Sequence, residues 1–194
     1  MFLETICIKS GKAVNIDGHI KRMKKTASYF GFEPPNIPDI EKLITPGMNR
    51  ARLKCSIAYH TKINSISFER YQVRSIHSLK LIDATPDYAY KFSNRNALNN
   101  LLSLREGCDD ILIVRNGCIT DTSFSNVVFA RGDELYTPRY PLLNGTKRQL
   151  LIEEGKIKEV DVTPDSINEY ERVYLINAML DVEDDVFIPV GQIM

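Results

Sequence analysis

Asn116-Gly117 stands between two apolar runs, and that pair constrains the middle of the chain more than any other feature. Residues 111–148 read ILIVRNGCITDTSFSNVVFARGDELYTPRYPLLNGTKR. Asn-Gly supplies the two positive-φ positions of a two-residue hairpin turn, so the spacing predicts strand ILIV and the tight turn Arg115-Asn116-Gly117-Cys118. A polar segment ITDTSFSN follows, then a second apolar strand VVFA and a turn at Arg131-Gly132-Asp133. A further strand ends at Thr137-Pro138, and the loop Leu143-Asn144-Gly145-Thr146 opens a helix. Asp121, Ser123 and Asn126 fall where a strand re-enters the core. Polar groups there need partners, and a bound ligand is one way of supplying them.

The chain has 194 residues, enough for one ordinary domain or two small ones with a real core. Its 25 basic and 25 acidic residues cancel, which removes the electrostatic case for nucleic acid or an anionic membrane surface. Cys7, Cys55, Cys108 and Cys118 show no CxxC or CxxH spacing, so no metal site or redox motif is expected. Sparse cysteines suit reduced thiols. No apolar run approaches the ~18 residues of a membrane span and no leader pattern is present, so the expectation is a soluble cytoplasmic protein.

Earlier in the chain, residues 2–8 (FLETICI) read as a short strand. Asp17-Gly18 caps a helix of about four turns. Ile20, Met23, Ala27 and Phe30 recur at steps of three and four and predict its buried stripe. Gly31 is placed to end it, and Pro34-Pro35 prevents continuation. His19 and Arg22 share a face of the first turn, where composition favours a solvated helix start. Pro38-Asp39 starts a short helix through Ile40, Leu43 and Ile44, stopped by Pro46-Gly47. Residues 51–59 alternate in character like a half-buried strand, and residues 63–74 and 77–82 continue as strands. The pattern is α+β.

A turn-rich break at residues 83–88 suggests a small α+β domain over 1–85 and a second domain over 86–194. In the second, a helix is expected from Ser93 to Arg105, another over 146–154, and strands at Val160 to Val162 and over 173–180. Thr163-Pro164 reads as a helix start.

Three places could carry chemistry. Lys91 lies between Tyr90 and Phe92 just before the expected helix. Desolvation and the positive helix end both disfavour an ammonium there, and a partly neutral lysine is what carbonyl chemistry needs. The commoner arrangement is an aliphatic stem on aromatic rings with its head in water. Asn144-Gly145-Thr146 leads into a helix whose free N–H groups could receive an anion, with Lys147 and Arg148 adding charge; an ordinary helix start reads the same way. Asp121 is a carboxylate in an apolar strand pair, costly unless it faces a cation, although a turn aspartate bonded to its own backbone gives the same pattern.

Taken in order, these segments resemble the class IV aminotransferases, the pyridoxal 5'-phosphate enzymes of the branched-chain aminotransferase and aminodeoxychorismate lyase type. Leu3-Glu4-Thr5-Ile6 is similar to the family's FETI strand, and Asp17 through Met23 (DGHIKRM) to its D-x-H-x-x-R-L helix start. Lys91 through Arg95 (KFSNR) resembles the lysine segment, and Asn116-Gly117 with TDTSFSNV the NG…TEGSxSNV signature. LNGTKR resembles LPGITR, and the closing segment the one that ends in PV. The resemblance implies a two-domain, α+β, fold-type-IV enzyme with a small α/β N-terminal domain and a larger C-terminal pseudo-barrel domain. It further implies that Lys91 binds the cofactor covalently and moves a proton, while Arg22 grips the phosphate bidentately. The backbone at Thr146 and Lys147 would complete the cradle, with Asn177 and Ala178 near the phosphate. Asp121 would face the pyridine nitrogen beside Asn126. The cofactor would lie between the two domains of each subunit of a homodimer.

There are departures from that pattern. Aspartate replaces the usual glutamate at 121, and alanine a frequent serine or threonine at 178. Asn96 stands where aminotransferases tend to have tyrosine. The chain begins at the FETI-like strand, which reads as an N-terminally shortened form. KFSNR resembles the K-x-x-N-R of aminodeoxychorismate lyases, which implies conversion of 4-amino-4-deoxychorismate to 4-aminobenzoate and pyruvate, a step towards folate. The alternatives are a branched-chain or D-amino-acid transaminase of the same fold and a non-catalytic homologue.

Overall fold

The computed structural model describes residues 1–45, 47–48 and 52–194. Pro46, expected to stop a short helix, and Ala51, expected to open a strand, lie outside the described residues. Two compact units form: Met1–Val73 with Tyr90–Asn94, and Arg74–Ala89 with Arg95–Met194. They part after Val73, earlier than the break at 83–88 that composition suggested, and the lysine segment joins the first unit.

In the first unit, strands β1 (Phe2–Lys9), β2 (Lys12–Ala13), β3 (Leu53–Tyr59) and β4 (Ile63–Arg70) make an antiparallel sheet in the order β2-β1-β3-β4. Period-two alternation puts Phe2, Glu4, Ile6 and Ile8 on one face, opposite Tyr59, Ile57, Cys55 and Leu53 in register. The segment around Ile40, a single 3-10 turn over Ile40–Leu43, covers the Ile6–Ile8 end of that face. Helix α1 (Ile16–Phe30) covers the Phe2 end, with Met23 packed on Phe2 and Tyr59.

The buried stripe of α1 is His19, Met23, Thr26 and Ala27, not the predicted Ile20-Met23-Ala27-Phe30. Phe30 is 42% exposed. The helix is turned because its first turn has to meet Glu4, as described below. Gly31 ends it in the left-handed region at φ 71°.

The second unit is built on strands β5 (Leu79–Asp83), β6 (Asp110–Arg115), β7 (Cys118–Thr122), β8 (Asn126–Arg131), β9 (Glu134–Pro138) and β10 (Lys158–Val160), paired in sequence order reversed; β11 (Arg172–Ile176) joins β8 and carries β12 (Phe187–Pro189). β5–β6 and β9–β10 are parallel. β6 and β8 are buried on both faces, as their unbroken apolar runs require. Helix α2 (Asn96–Leu102) is shorter than expected, and helix α3 (Thr146–Glu153) packs Leu151 against Val128 and Ile176. The Asn116-Gly117 turn forms as predicted, with both φ positive and Arg115 paired to Cys118. The strand expected over 173–180 stops at Ile176. Both units together make an α+β fold. Among the described residues no helix is long and apolar enough to cross a membrane.

Candidate active site

Asp121 owes its direction to a bulge. Between Val114–Ile119 and Leu112–Thr122 the register of β6 and β7 shifts, and the Thr120 hydroxyl donates to the Ile113 carbonyl at 2.9 Å. Asp121 then pairs with Asn126 across β7 and β8. Its carboxylate accepts from Asn126 Nδ2 and from the Leu143 N–H, each at 2.8 Å. Asn126 Nδ2 also donates to the Leu143 carbonyl at 2.8 Å, so one amide holds the carboxylate and the loop before α3 together. A Cβ on Gly145 would lie 2.0 Å from Asn126 Oδ1, which is why the loop carries glycine there.

Burial is the main influence on Asp121 and raises it to about 6, against its two hydrogen bonds and the more distant positive charges of Arg148 and Arg115. Among the described residues no cation forms an ion pair with it. Its hydrogen-bond donors, Asn126 Nδ2 and the Leu143 N–H, are both neutral.

The neighbouring polar groups are satisfied internally. Ser123 Oγ donates to Asp110 at 3.0 Å, and its carbonyl accepts from Arg95 Nη2 at 2.6 Å. The Thr122 and Ser125 hydroxyls bond each other at 2.7 Å. Of the three polar residues flagged in the hairpin, Ser123 therefore needs no ligand.

At the start of α3, Gly145 offers no side-chain cap, so the first-turn N–H groups at Thr146 and Lys147 depend on what lies before them. The charges expected to assist an anion there are already paired. Lys147 Nζ bonds Asp181 at 2.5 Å, and buried Arg148 donates to the Pro138 carbonyl, Asn144 Oδ1 and Glu159. Neither side chain is therefore a free positive charge at this helix start. Asn177 uses its side-chain oxygen to accept from Met179 and Leu180 N–H, which shapes the turn that holds Ala178.

In the first unit, Arg22 and His19 are not a solvated helix start. Both reach Glu4, which has no exposed surface. Arg22 Nε donates to Oε1 at 3.0 Å and Nη2 to Oε2 at 2.5 Å, while His19 Nδ1 lies 2.6 Å from Oε2. Burial alone would raise Glu4, but the Arg22 charge and the bonds from His19 and Arg22 outweigh it and hold the carboxyl at about 2. Burial lowers His19 despite Glu4, and the Arg22 and Lys91 charges add to the lowering. The guanidinium fork thus faces Glu4, and a bidentate phosphate grip through that same edge is excluded.

Lys91 is half-buried, with its carbonyl accepting from the Leu3 N–H at 2.9 Å. Phe92 bridges to Phe2, and Tyr90 stacks on Tyr29 at 4.6 Å. The helix dipole expected to act on Lys91 is displaced, because α2 starts at Asn96. Lys91 and Arg22 thus belong to the first unit, and Asp121, Asn126, Thr146, Lys147, Asn177 and Ala178 to the second.

Sequence reading missed Glu4 and Asp181. Glu4 had a signal: it breaks the apolar alternation Phe2-Ile6-Ile8 on one strand face. Asp181 had none, since its partner Lys147 lies 34 residues away.

The Amino-transferase class IV model matches residues 1–183. An uncharacterized protein of Haemophilus influenzae is 35% identical over 91% of this chain and 96% of its own length. A "putative aminodeoxychorismate lyase" of Schizosaccharomyces pombe is 26% identical over 92% of this chain and 86% of its own. The crystal structure of a "putative 4-amino-4-deoxychorismate lyase" from Haemophilus somnus 129pt superposes with a TM-score of 0.79 at 33% identity, covering 92% of this chain and 95% of that one. With a family model spanning residues 1–183 and a relative 35% identical over nine-tenths of its length, this chain belongs to the class IV aminotransferase family.

Proposed function

We propose that the protein is a pyridoxal-phosphate-dependent 4-amino-4-deoxychorismate lyase, releasing 4-aminobenzoate and pyruvate. The observation that carries the cofactor assignment is Asp121, buried, raised to about 6 and lacking a paired cation among the described residues. A protonated ring nitrogen would supply that cation and bring the carboxyl back down. The lyase assignment is supported by KFSNR and by the names carried by the Haemophilus somnus and Schizosaccharomyces pombe relatives.

Bound, the cofactor supplies an electron sink conjugated to the substrate's amine-bearing carbon. Asp121 keeps the ring nitrogen protonated, and Asn126 keeps Asp121 in place. Backbone N–H groups at Thr146 and Lys147 would receive the phosphate, with Asn177 and Ala178 lining it, and the family resemblance gives Arg22 as a further charge for it. Lys91 Nζ takes the proton from the ring carbon and returns one to the departing three-carbon unit. The enolpyruvyl group leaves as pyruvate while the six-membered ring becomes aromatic, so no 2-oxo acid is consumed. The resemblance adds a homodimer and a role in folate synthesis to this reading.

Purified protein should be yellow, with a visible band absent in Lys91→Ala, and should release 4-aminobenzoate from enzymatically generated aminodeoxychorismate without any added 2-oxo acid. A yellow protein that makes no aminobenzoate but exchanges amino groups between alanine or leucine and a 2-oxo acid would refute the lyase in favour of the transaminase. A colourless protein indifferent to added cofactor would refute both.

A further inference from the structure

Glu4 has no part in the chemistry above, yet it sits where a carboxylate is most expensive. It lies on the apolar face of β1 opposite Ile57 and is wholly buried. A hydrophobic residue would fill that position without a partner. Two side chains from α1, three residues apart and so on one face, converge on it instead.

The geometry is directional. The side-on edge of Arg22, Nε and Nη2, is bound to both Glu4 oxygens. His19 bonds the same Oε2 from within the core, which fixes the carboxylate plane in turn. The Arg22 side chain keeps 13% exposure while those of Glu4 and His19 keep 1%. Nη1, on the far edge, has no partner among the described residues. The planar fork is thereby locked in one orientation with one end presented.

We propose that Glu4 is a positioning residue for phosphate recognition: it orients Arg22 so that the Nη1 end meets the cofactor phosphate, and His19 holds Glu4 in that pose. This rests on the reading that Arg22 binds the phosphate. An arginine oriented in advance loses no rotamer freedom on binding and offers its charge where the anion arrives. Glu4 also removes part of that charge from the interior, so the free protein does not carry a buried, unpaired guanidinium.

The test compares pyridoxal phosphate with pyridoxal, which keeps the ring and aldehyde but lacks the phosphate. Dissociation constants for both are measured by visible absorbance on wild type, Arg22→Gln, Glu4→Gln and Glu4→Asp. The last retains the charge and withdraws it by one methylene. In wild type the phosphate should strengthen binding strongly. Arg22→Gln should reduce that preference at least tenfold, and both Glu4 variants should reduce it by about tenfold while pyridoxal binds as before. Equal weakening of both ligands, or loss of folded circular dichroism in both Glu4 variants, would make Glu4 a structural residue and overturn the proposal. So would an unchanged preference. If Arg22→Gln also leaves the preference intact, the phosphate role of Arg22 fails and the proposal falls with it. If wild type binds neither ligand, the cofactor reading itself fails.

Discussion

Gly145→Ala isolates the contact that joins Asp121 to the loop before α3. Gly145 has φ −68° and ψ 146°, a conformation alanine adopts freely, so the substitution introduces no backbone strain. Its whole effect comes from the new methyl, placed 2.0 Å from Asn126 Oδ1 and 3.2 Å from Asn126 Cγ. The Asn126 amide has to swing away and release two hydrogen bonds, one to the Asp121 carboxylate and one to the Leu143 carbonyl. A bond to a charged group contributes about 1.5–3 kcal/mol and a neutral one about 0.5–1.5, which predicts a loss of about 2–4.5 kcal/mol. Urea unfolding of the cofactor-free protein measures this directly. Asn126→Ala should cost a similar amount by losing the same bonds. The double variant should cost little more than Asn126→Ala alone, because no amide remains for the methyl to displace. Additive losses in the double variant, or a Gly145→Ala protein within about 0.5 kcal/mol of wild type, would refute the argument.

Asp121 gives a pH signature with a definite sign. Its folded-state pKa of about 6 is above the ordinary 3.8, so its contribution to stability is full below pH 3.8 and lost as pH rises through 6. Relative to Asp121→Asn, cofactor-free wild type should gain about 2–3 kcal/mol between pH 7 and pH 4, read from urea midpoints at each pH. Glu4 acts in the opposite sense, since its carboxyl is lowered from 4.5 to about 2. Its contribution is present above pH 4.5 and lost as pH falls towards 2, and acid unfolding of wild type against Glu4→Gln tests that. The corrected helix stripe predicts that Met23→Ala costs about 2–5 kcal/mol, while Phe30→Ser costs far less, as thermal or urea unfolding would show. Arg148→Met should cost about 1–3 kcal/mol by leaving the Pro138 carbonyl and Asn144 without their donor, again by urea unfolding.

The local features of this protein are legible in its residues because they depend on neighbours in sequence. The Asn116-Gly117 turn, the alternation of β3, the glycine end of α1 and the start of α3 at Thr146 all follow from backbone preferences within a few residues. The ordered motifs around Lys91, Asp121 and Asn144 also carried the family. Charge pairing did not follow from the sequence, because it joins residues far apart in the chain. Lys147 and Arg148 read as free positive charge at a helix start, and the folded chain gives them to Asp181 and to Glu159 with the Pro138 carbonyl. Ser123 read as a group in need of a ligand, and Asp110 and Arg95 satisfy it. His19 and Arg22 read as solvated, and a single buried carboxylate on the neighbouring strand rotates the helix that carries them. Short-range sterics determined the Asn116-Gly117 turn, the end of α1 and the start of α3. The cost of burying a charge, which only tertiary contacts can offset, decided which side chains turn inward and which functional groups remain available.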